Sequence, residues 1–213
     1  MPDLSRTLTI TTLALSLGLG LSAASASADQ IVIGLQQEPT SLDPTADATA
    51  SINGMLTMNV YEALTIVAEN GEVQPNLATS WEVSEDGLTY TFTLAEGVTF
   101  HDGSSFDADD VLFSFNRAMA EDSVNPSKAK FAAIDTVTAI DPLTVEITLT
   151  RQDAFFLFNM GQGDSIIVSE GSAENNATAP VGTGPFKFER WTRGDRLILV
   201  KRSRIIWKTR LPC

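Results

Sequence analysis

Apolar and polar positions alternate most cleanly over residues 88–94, where Leu88, Tyr90, Phe92 and Leu94 are separated by Thr89, Thr91 and Thr93. Period two over seven positions predicts a strand with one buried and one wet face. Glu96-Gly97 then turns the chain, residues 98–100 extend it, and Asp102-Gly103 ends it. Helical spacing follows. Val111, Leu112, Phe115 and Met119 share a face, with Asp107 placed as a cap and Asp109 and Asp110 set favourably against the dipole. Residues 137–140 and 144–150 predict a hairpin across Asp141-Pro142-Leu143, with Val145, Ile147 and Leu149 inward.

The rest of the pattern is less regular. Residues 30–35 form a nearly continuous apolar run, as expected of a strand buried on both faces. Pro39 and Pro44 break it into a loop. Residues 51–54 are placed to cap a helix carrying Met55, Leu56, Asn59, Val60 and Leu64, and Asn70-Gly71 marks a tight turn. Residues 154–160 read as a short helix whose Phe155, Phe156 and Phe158 default to the core. A polar loop is expected over 171–179, a rigid crossing at Gly182-Thr183-Gly184-Pro185, and a last strand at 196–200 with no evident partner. There is no internal repeat. Hairpins mixed with helices make an α/β protein in the broad sense, without clean βαβ alternation.

The two ends stand apart from this pattern. Arg6, the apolar run over 8–21 and the small residues Ala24-Ser25-Ala26-Ser27-Ala28 read as a secretory signal peptide over 1–28, cleaved before Asp29. The run is too short for the ~20 residues that span a bilayer, and no cysteine lies near the cleavage site to carry a lipid. A diffusible periplasmic protein is therefore expected. From Lys201 to Cys213 the chain holds five basic residues and no acid, whereas residues 29–200 hold 8 basic against 26 acidic residues. That break separates a basic tail from the body.

Charge and composition exclude several function classes. With 14 Lys+Arg against 27 Asp+Glu, a formal net charge of −13, the chain lacks the basic surface that nucleic acid or anionic lipid selects. One cysteine, Cys213, excludes an intramolecular disulfide and multi-cysteine metal sites, and one histidine, His101, excludes a histidine-rich centre. His101-Asp102 would point to opposite faces of a strand, which does not orient a base and its helper, and no G-x-S-x-G is present. Asp107, Asp109 and Asp110 lack the glycine and distal glutamate of a calcium loop. The glycines at 182 and 184 lack a following Lys-Ser/Thr, and Pro185 removes a donor, so no phosphate loop is expected. No catalytic constellation, cofactor site or metal site is left.

Residues 76–94, reading Asn-Leu-Ala-Thr-Ser-Trp-Glu-Val-Ser-Glu-Asp-Gly-Leu-Thr-Tyr-Thr-Phe-Thr-Leu, continue through Glu96-Gly97-Val98-Thr99-Phe100-His101-Asp102-Gly103. This segment resembles the extracellular solute-binding proteins of the peptide, dipeptide and nickel class (family 5) that serve ABC importers. Gln37-Glu38-Pro39-Thr40-Ser41-Leu42-Asp43-Pro44, Asn59-Val60-Tyr61-Glu62-Ala63-Leu64 and Gly182-Thr183-Gly184-Pro185-Phe186 resemble further pieces of that family in order. The likeness runs through 30–201. It implies the N-terminal lobe of a type II periplasmic-binding-protein fold, with the second lobe missing, since family members are more than twice this long.

The resemblance also implies a function: a non-enzymatic, monomeric receptor that captures a peptide or similar small solute and passes it to ABC permease subunits. Near-lobe contacts are expected from Asp47, Ala48, Thr49, Phe131, Gly163 and Asp164, with no metal among them. After Lys201 the family pattern stops, and the genetic code permits a one-nucleotide shift that would restore it. We therefore expect residues 29–201 to be the first part of the solute-binding domain, 202–213 to be a frameshifted tail, and the truncated chain to bind solute poorly. A secreted hydrolase using His101 and a non-catalytic surface-binding module are the alternatives.

Overall fold

The computed structural model describes residues 31–34, 37–47 and 50–202. The signal peptide expected over 1–28 and the tail beyond Arg202 lie outside them. Ile31 to Gly34 carry no regular structure, and Ile31, Val32 and Ile33 are 77–84% exposed. The strand expected over 30–35 is therefore not formed at these four residues. A continuous apolar run becomes a two-faced buried strand only where neighbouring strands supply backbone partners.

The alternating segment forms β4 (Thr89–Leu94), with Tyr90, Phe92 and Leu94 buried. It is flanked by β3 (Ala78–Val83), which the pattern alone did not pick out because its burial does not alternate. The predicted hairpin is β5 (Ile134–Asp141) with β6 (Thr144–Leu149). All four strands pair antiparallel in the order β3-β4-β6-β5, with Phe92 opposite Val145 and Tyr90 opposite Ile147. Between β4 and β5 the chain forms α2 (Ala108–Met119), whose Val111 and Phe115 pack with Phe92, Val145 and Ile147 in the main core. Each fully buried side chain of this size contributes about 1.5–3 kcal/mol.

The start of α2 follows from the acids that precede it. Asp107 Oδ1 accepts from the Asp109 amide at 3.0 Å, and Asp110 Oδ2 accepts from the Asp107 amide at 3.1 Å, a closed capping box. The helix amide of Ala108 donates to the Pro142 carbonyl, which fixes the helix against the β5–β6 turn. We expect Asp107→Ala to cost about 1 kcal/mol, lowering the melting temperature by roughly 2–4 °C, while Asp107→Asn stays close to wild type. Equal loss in both variants would show that charge, not the cap, matters there.

A second core lies around Leu42, Ile52, Leu56, Val60, Tyr61, Ile166 and Val168. Here the expected helix over 51–64 is much shorter: α1 is Ala50–Leu56, so residues 51–54 lie inside it rather than ahead of it. Met58 sits at φ 64° in a turn over 58–60, whose Asn59 and Val60 amides return to the Leu56 carbonyl. The cause is tertiary pairing. Asn59 and Val60 offer their carbonyls to Phe186 and Gly184, and Ala63 bridges Ile166, so continuing the helix would forfeit these bonds.

The Asn70-Gly71 turn joins β1 (Thr65–Val67) to β2 (Val73–Pro75), with Gly71 at φ 83°. The strand expected over 196–200 is β8 (Arg196–Lys201), and its partner is β7 (Phe186–Thr192). Two readings need correction. In the short helix α3 (Phe156–Asn159), only Phe156 is core; Phe155 and Phe158 are 69% and 38% exposed. One turn of helix places consecutive aromatics on different faces, so they cannot all point inward. The polar loop at 171–179 is not free either: α4 (Glu170–Ala173) overlaps it, and Ser172, Ala173 and Asn176 are buried.

Candidate functional site

The loop after Leu42 is held by its own acid. Asp43 Oδ1 accepts from the amide and hydroxyl of Thr45 at 2.9 and 2.6 Å, the short-range pattern that makes Asp a turn former. Its Oδ2 takes the Arg117 guanidinium at 2.9 Å, and a second Arg117 nitrogen donates to Thr45 Oγ1 at 2.7 Å. Asp43 is buried and Arg117 half-buried, so the pair fastens the Pro44 loop onto the last turn of α2. Tyr61 lies close by, and burial, with the Asp43 charge second, pushes its phenol well above the ordinary range.

Beside this pair lies a cavity of about 230 Å³, bounded by the end of α2, the loop over 120–125, Phe131 and the segment 164–168. Its apolar wall includes Phe115 and Phe131, whose rings meet edge to face at 5.7 Å. Its polar side includes Arg117, Asn125, Asp164 and Ser165. Lys130 Nζ lies 2.6 Å from Asp164 Oδ2, and Asn125 Nδ2 donates to the Asp164 carbonyl at 2.9 Å. Asp164 Oδ1 and Ser165 Oγ are buried with no hydrogen-bond partner.

Of the six residues expected to contact solute, Phe131 and Asp164 line this cavity. Phe131 is 2% exposed, so its role there is that of a wall. Gly163 is not among the lining residues; a Cβ on it would lie 2.2 Å from Asn53 Oδ1 and 2.5 Å from Thr57 Oγ1, so it is a close-packing position against α1. Asp47 takes a hydrogen bond from Thr40 Oγ1 and is also outside the lining. Ala48 and Thr49 lie outside the described residues. Arg117, Asn125, Lys130 and Ser165 were not anticipated. The partners of Arg117, Asn125 and Lys130 are 34 to 74 residues away, where local spacing carries no information. One clue was present: with only 8 basic residues in an acidic body, each Lys or Arg is a candidate for a specific ion pair.

His101 is bound to the backbone of the crossing segment. Its Nε2 is 2.8 Å from the Gly184 carbonyl, and its Nδ1 accepts from the Gly182 amide at 3.3 Å. Those contacts require a neutral ring with the proton on Nε2, and burial holds its pKa below the usual value. With both nitrogens committed, the ring has no site for base catalysis. Glu62 grips the same segment, accepting from Thr183 Oγ1 at 2.8 Å. Burial pushes its carboxyl up to about 7, against the Thr183 hydrogen bond and the Arg202 charge. Arg202, at the start of the basic tail, donates to the carbonyls of Thr99 and Thr183 at 2.9 and 3.1 Å.

Among the described residues no helix is long and apolar enough to cross a membrane. Comparison with known proteins gives a consistent result. The chain is 35% identical over 185 residues to the glutathione-binding protein GsiB of Pectobacterium atrosepticum, covering 85% of this chain and 36% of that protein. It matches the periplasmic binding protein DppA of Helicobacter pylori, solved with the peptide STSA, at 34% identity and a TM-score of 0.69, covering 78% of this chain and 38% of that one. It also matches NikZ of Campylobacter jejuni, solved with Ni(L-His), at 32% identity and a TM-score of 0.67, covering 76% and 33%. The fold is thus the mixed α/β arrangement of part of a periplasmic binding protein, and the chain spans about a third of the length of the relatives it matches. With the model of bacterial extracellular solute-binding proteins, family 5 (middle part), matching residues 72–210, the chain belongs to that family.

Proposed function

We propose that these residues form the near side of the solute-capturing component of an ABC importer, exported by the segment 1–28 to the periplasm, where it takes up a peptide or similar small polar solute as a monomer and delivers it to permease subunits. It performs no catalysis and uses no cofactor. The observation that supports this reading is the 230 Å³ cavity, which combines aromatic walls with charged side chains and unpartnered buried acceptors. A binding cleft needs that mixture: apolar surface for affinity and a few polar groups for orientation. Contacts are assigned to Phe131 and Asp164, which line the cavity, and to Asp47, Ala48, Thr49 and Gly163 on the family resemblance. Residues 29–201 supply the binding body.

A cavity of this size is below the ~300–1,000 Å³ of a complete ligand site. The 213-residue chain on its own therefore supplies about half the contacts. Halving the free energy of a micromolar complex, about −8 kcal/mol, leaves about −4 kcal/mol, a millimolar dissociation constant. Titration of the chain with di- and tripeptides, followed by calorimetry and by amide chemical shifts, should show weak, saturable binding in that range. Micromolar affinity would overturn the half-site argument. Peptide turnover that disappears in His101→Ala would favour the hydrolase, and binding confined to macromolecules would favour a surface module.

A further inference from the structure

We propose that Asn70 is a modification site: its side-chain amide is lost by ring closure onto the Gly71 nitrogen, so that the turn between β1 and β2 comes to hold an aspartyl or isoaspartyl residue. The pair Asn-Gly occurs at 53–54 and again at 70–71. Glycine has no Cβ to shield its nitrogen from the preceding carboxamide. Local sequence therefore ranks the two sites equally, and the fold separates them.

Asn70, Gly71 and Glu72 are exposed, and a Cβ on Gly71 would meet nothing within 4 Å. The Asn70 carboxamide is folded over Gly71. Its Oδ1 accepts from the Glu72 amide at 3.0 Å, and its Nδ2 donates to Glu72 Oε2 at 3.3 Å. The amide on Oδ1 stands where negative charge gathers as the Gly71 nitrogen adds to Cγ, so it stabilises that step as an oxyanion donor does. The Gly71 N–H donates to the Ala68 carbonyl at 2.8 Å and must first be freed. β1 and β2 are three residues each and form a two-stranded sheet, and a hairpin that short opens readily at its tip. Asn53 lacks this freedom. It lies inside α1, its carbonyl takes the Thr57 amide at 3.3 Å, and its Oδ1 is packed against Gly163. Ring closure there would unwind a helix whose Ile52 and Leu56 are fully buried in the second core.

The step balances with water as the only co-reactant. The Gly71 nitrogen gives up its proton and bonds Asn70 Cγ; the Cγ–Nδ2 bond breaks and ammonia leaves. Water then opens the ring, at Cγ to give aspartate or at the Asn70 main-chain carbonyl to give isoaspartate, whose backbone is longer by a methylene. Either product sets a new carboxylate between Glu69 and Glu72, and like charges so close repel. None of residues 65–75 lines the cavity, so the change loosens the hairpin and leaves the cavity walls as they are.

The test incubates the full chain at pH 8, folded and in guanidinium chloride. Peptide mass mapping follows both Asn-Gly pairs, and an isoaspartyl methyltransferase counts isoaspartate. In the folded chain Asn70 should lose its amide at least roughly tenfold faster than Asn53, because the hairpin tip opens more easily than the packed helix. In denaturant the two rates should agree within roughly twofold, since no fold is left to tell them apart. Asn70→Gln should remove the folded-state signal, because glutamine needs a larger ring that closes far more slowly, and its dichroism spectrum should match wild type. An Asn70 amide that survives in the folded chain overturns the proposal, whatever happens in denaturant. Asn53 reacting as fast as Asn70 in the folded chain overturns it too, as does isoaspartate that persists in Asn70→Gln.

Discussion

Gly182→Ala is expected to abolish the folded state, whereas Gly54→Ala, the same change in chemistry, is expected to stabilise it by about 0.5–1 kcal/mol. A Cβ on Gly182 would lie 2.0 Å from the Val60 carbonyl oxygen and 2.8 Å from its carbon. These are backbone atoms, and Val60 is held from both sides, its amide by Leu56 and its carbonyl by Gly184. Relief requires moving the crossing segment, which would break the His101, Glu62 and Gly184 contacts together. We place the cost above the ~4 kcal/mol at which single substitutions become exceptional. Gly54 lies exposed in α1 with nothing within 4 Å of the added carbon, so Ala only improves the helix. Circular dichroism melts of both variants check the pair. A folded Gly182→Ala protein with a near-normal melting temperature would mean that the crossing is not locked as described.

Glu62→Gln should stabilise the protein above pH 7 and leave it unchanged near pH 4. The wild-type carboxyl titrates at about 7 in the folded chain against 4.5 in the unfolded one. A raised folded pKa means that the folded state binds more protons between those values. Its contribution to stability is therefore fully present below 4.5 and is lost as pH rises through 7. At 1.36 kcal/mol per unit, the loss reaches about 3 kcal/mol at pH 8. Gln keeps the acceptor for Thr183 Oγ1 and has no charge to bury, so it escapes that loss. The melting temperature of Glu62→Gln should exceed wild type by roughly 6–12 °C at pH 8, with the gap closing as pH falls. Asp110, pushed by burial up to about 6, slopes the same way in both proteins, and His101, held low, slopes the opposite way. The difference between variant and wild type removes both. A Gln variant less stable than wild type at pH 8 would show that the buried carboxylate is compensated by Arg202.

The residue pattern alone determined the parts of this protein whose physics is local. The β4 alternation, the Asp107 capping box, the β5–β6 hairpin and the Asn70-Gly71 turn depend on side chains at most a few positions apart, and all are present where the sequence puts them. The family was legible for a related reason: four ordered motifs span most of the body, two of them fall within the family match over residues 72–210, and relatives align over 85% of the chain. Partners far away in the chain decided the rest. The chain leaves the helix after Leu56 because Asn59, Val60 and Ala63 pair with residues more than 100 positions on, and such pairings override local helix spacing. Phe155 and Phe158 looked like core because sequence gives hydrophobicity without direction, and only packing chose Phe156 for the inside. The candidate site belongs wholly to the second kind. Asp43 meets Arg117 across 74 residues and Lys130 meets Asp164 across 34, so the cavity they frame exists only once the loop, α2 and the 164–168 segment have been brought together by burial.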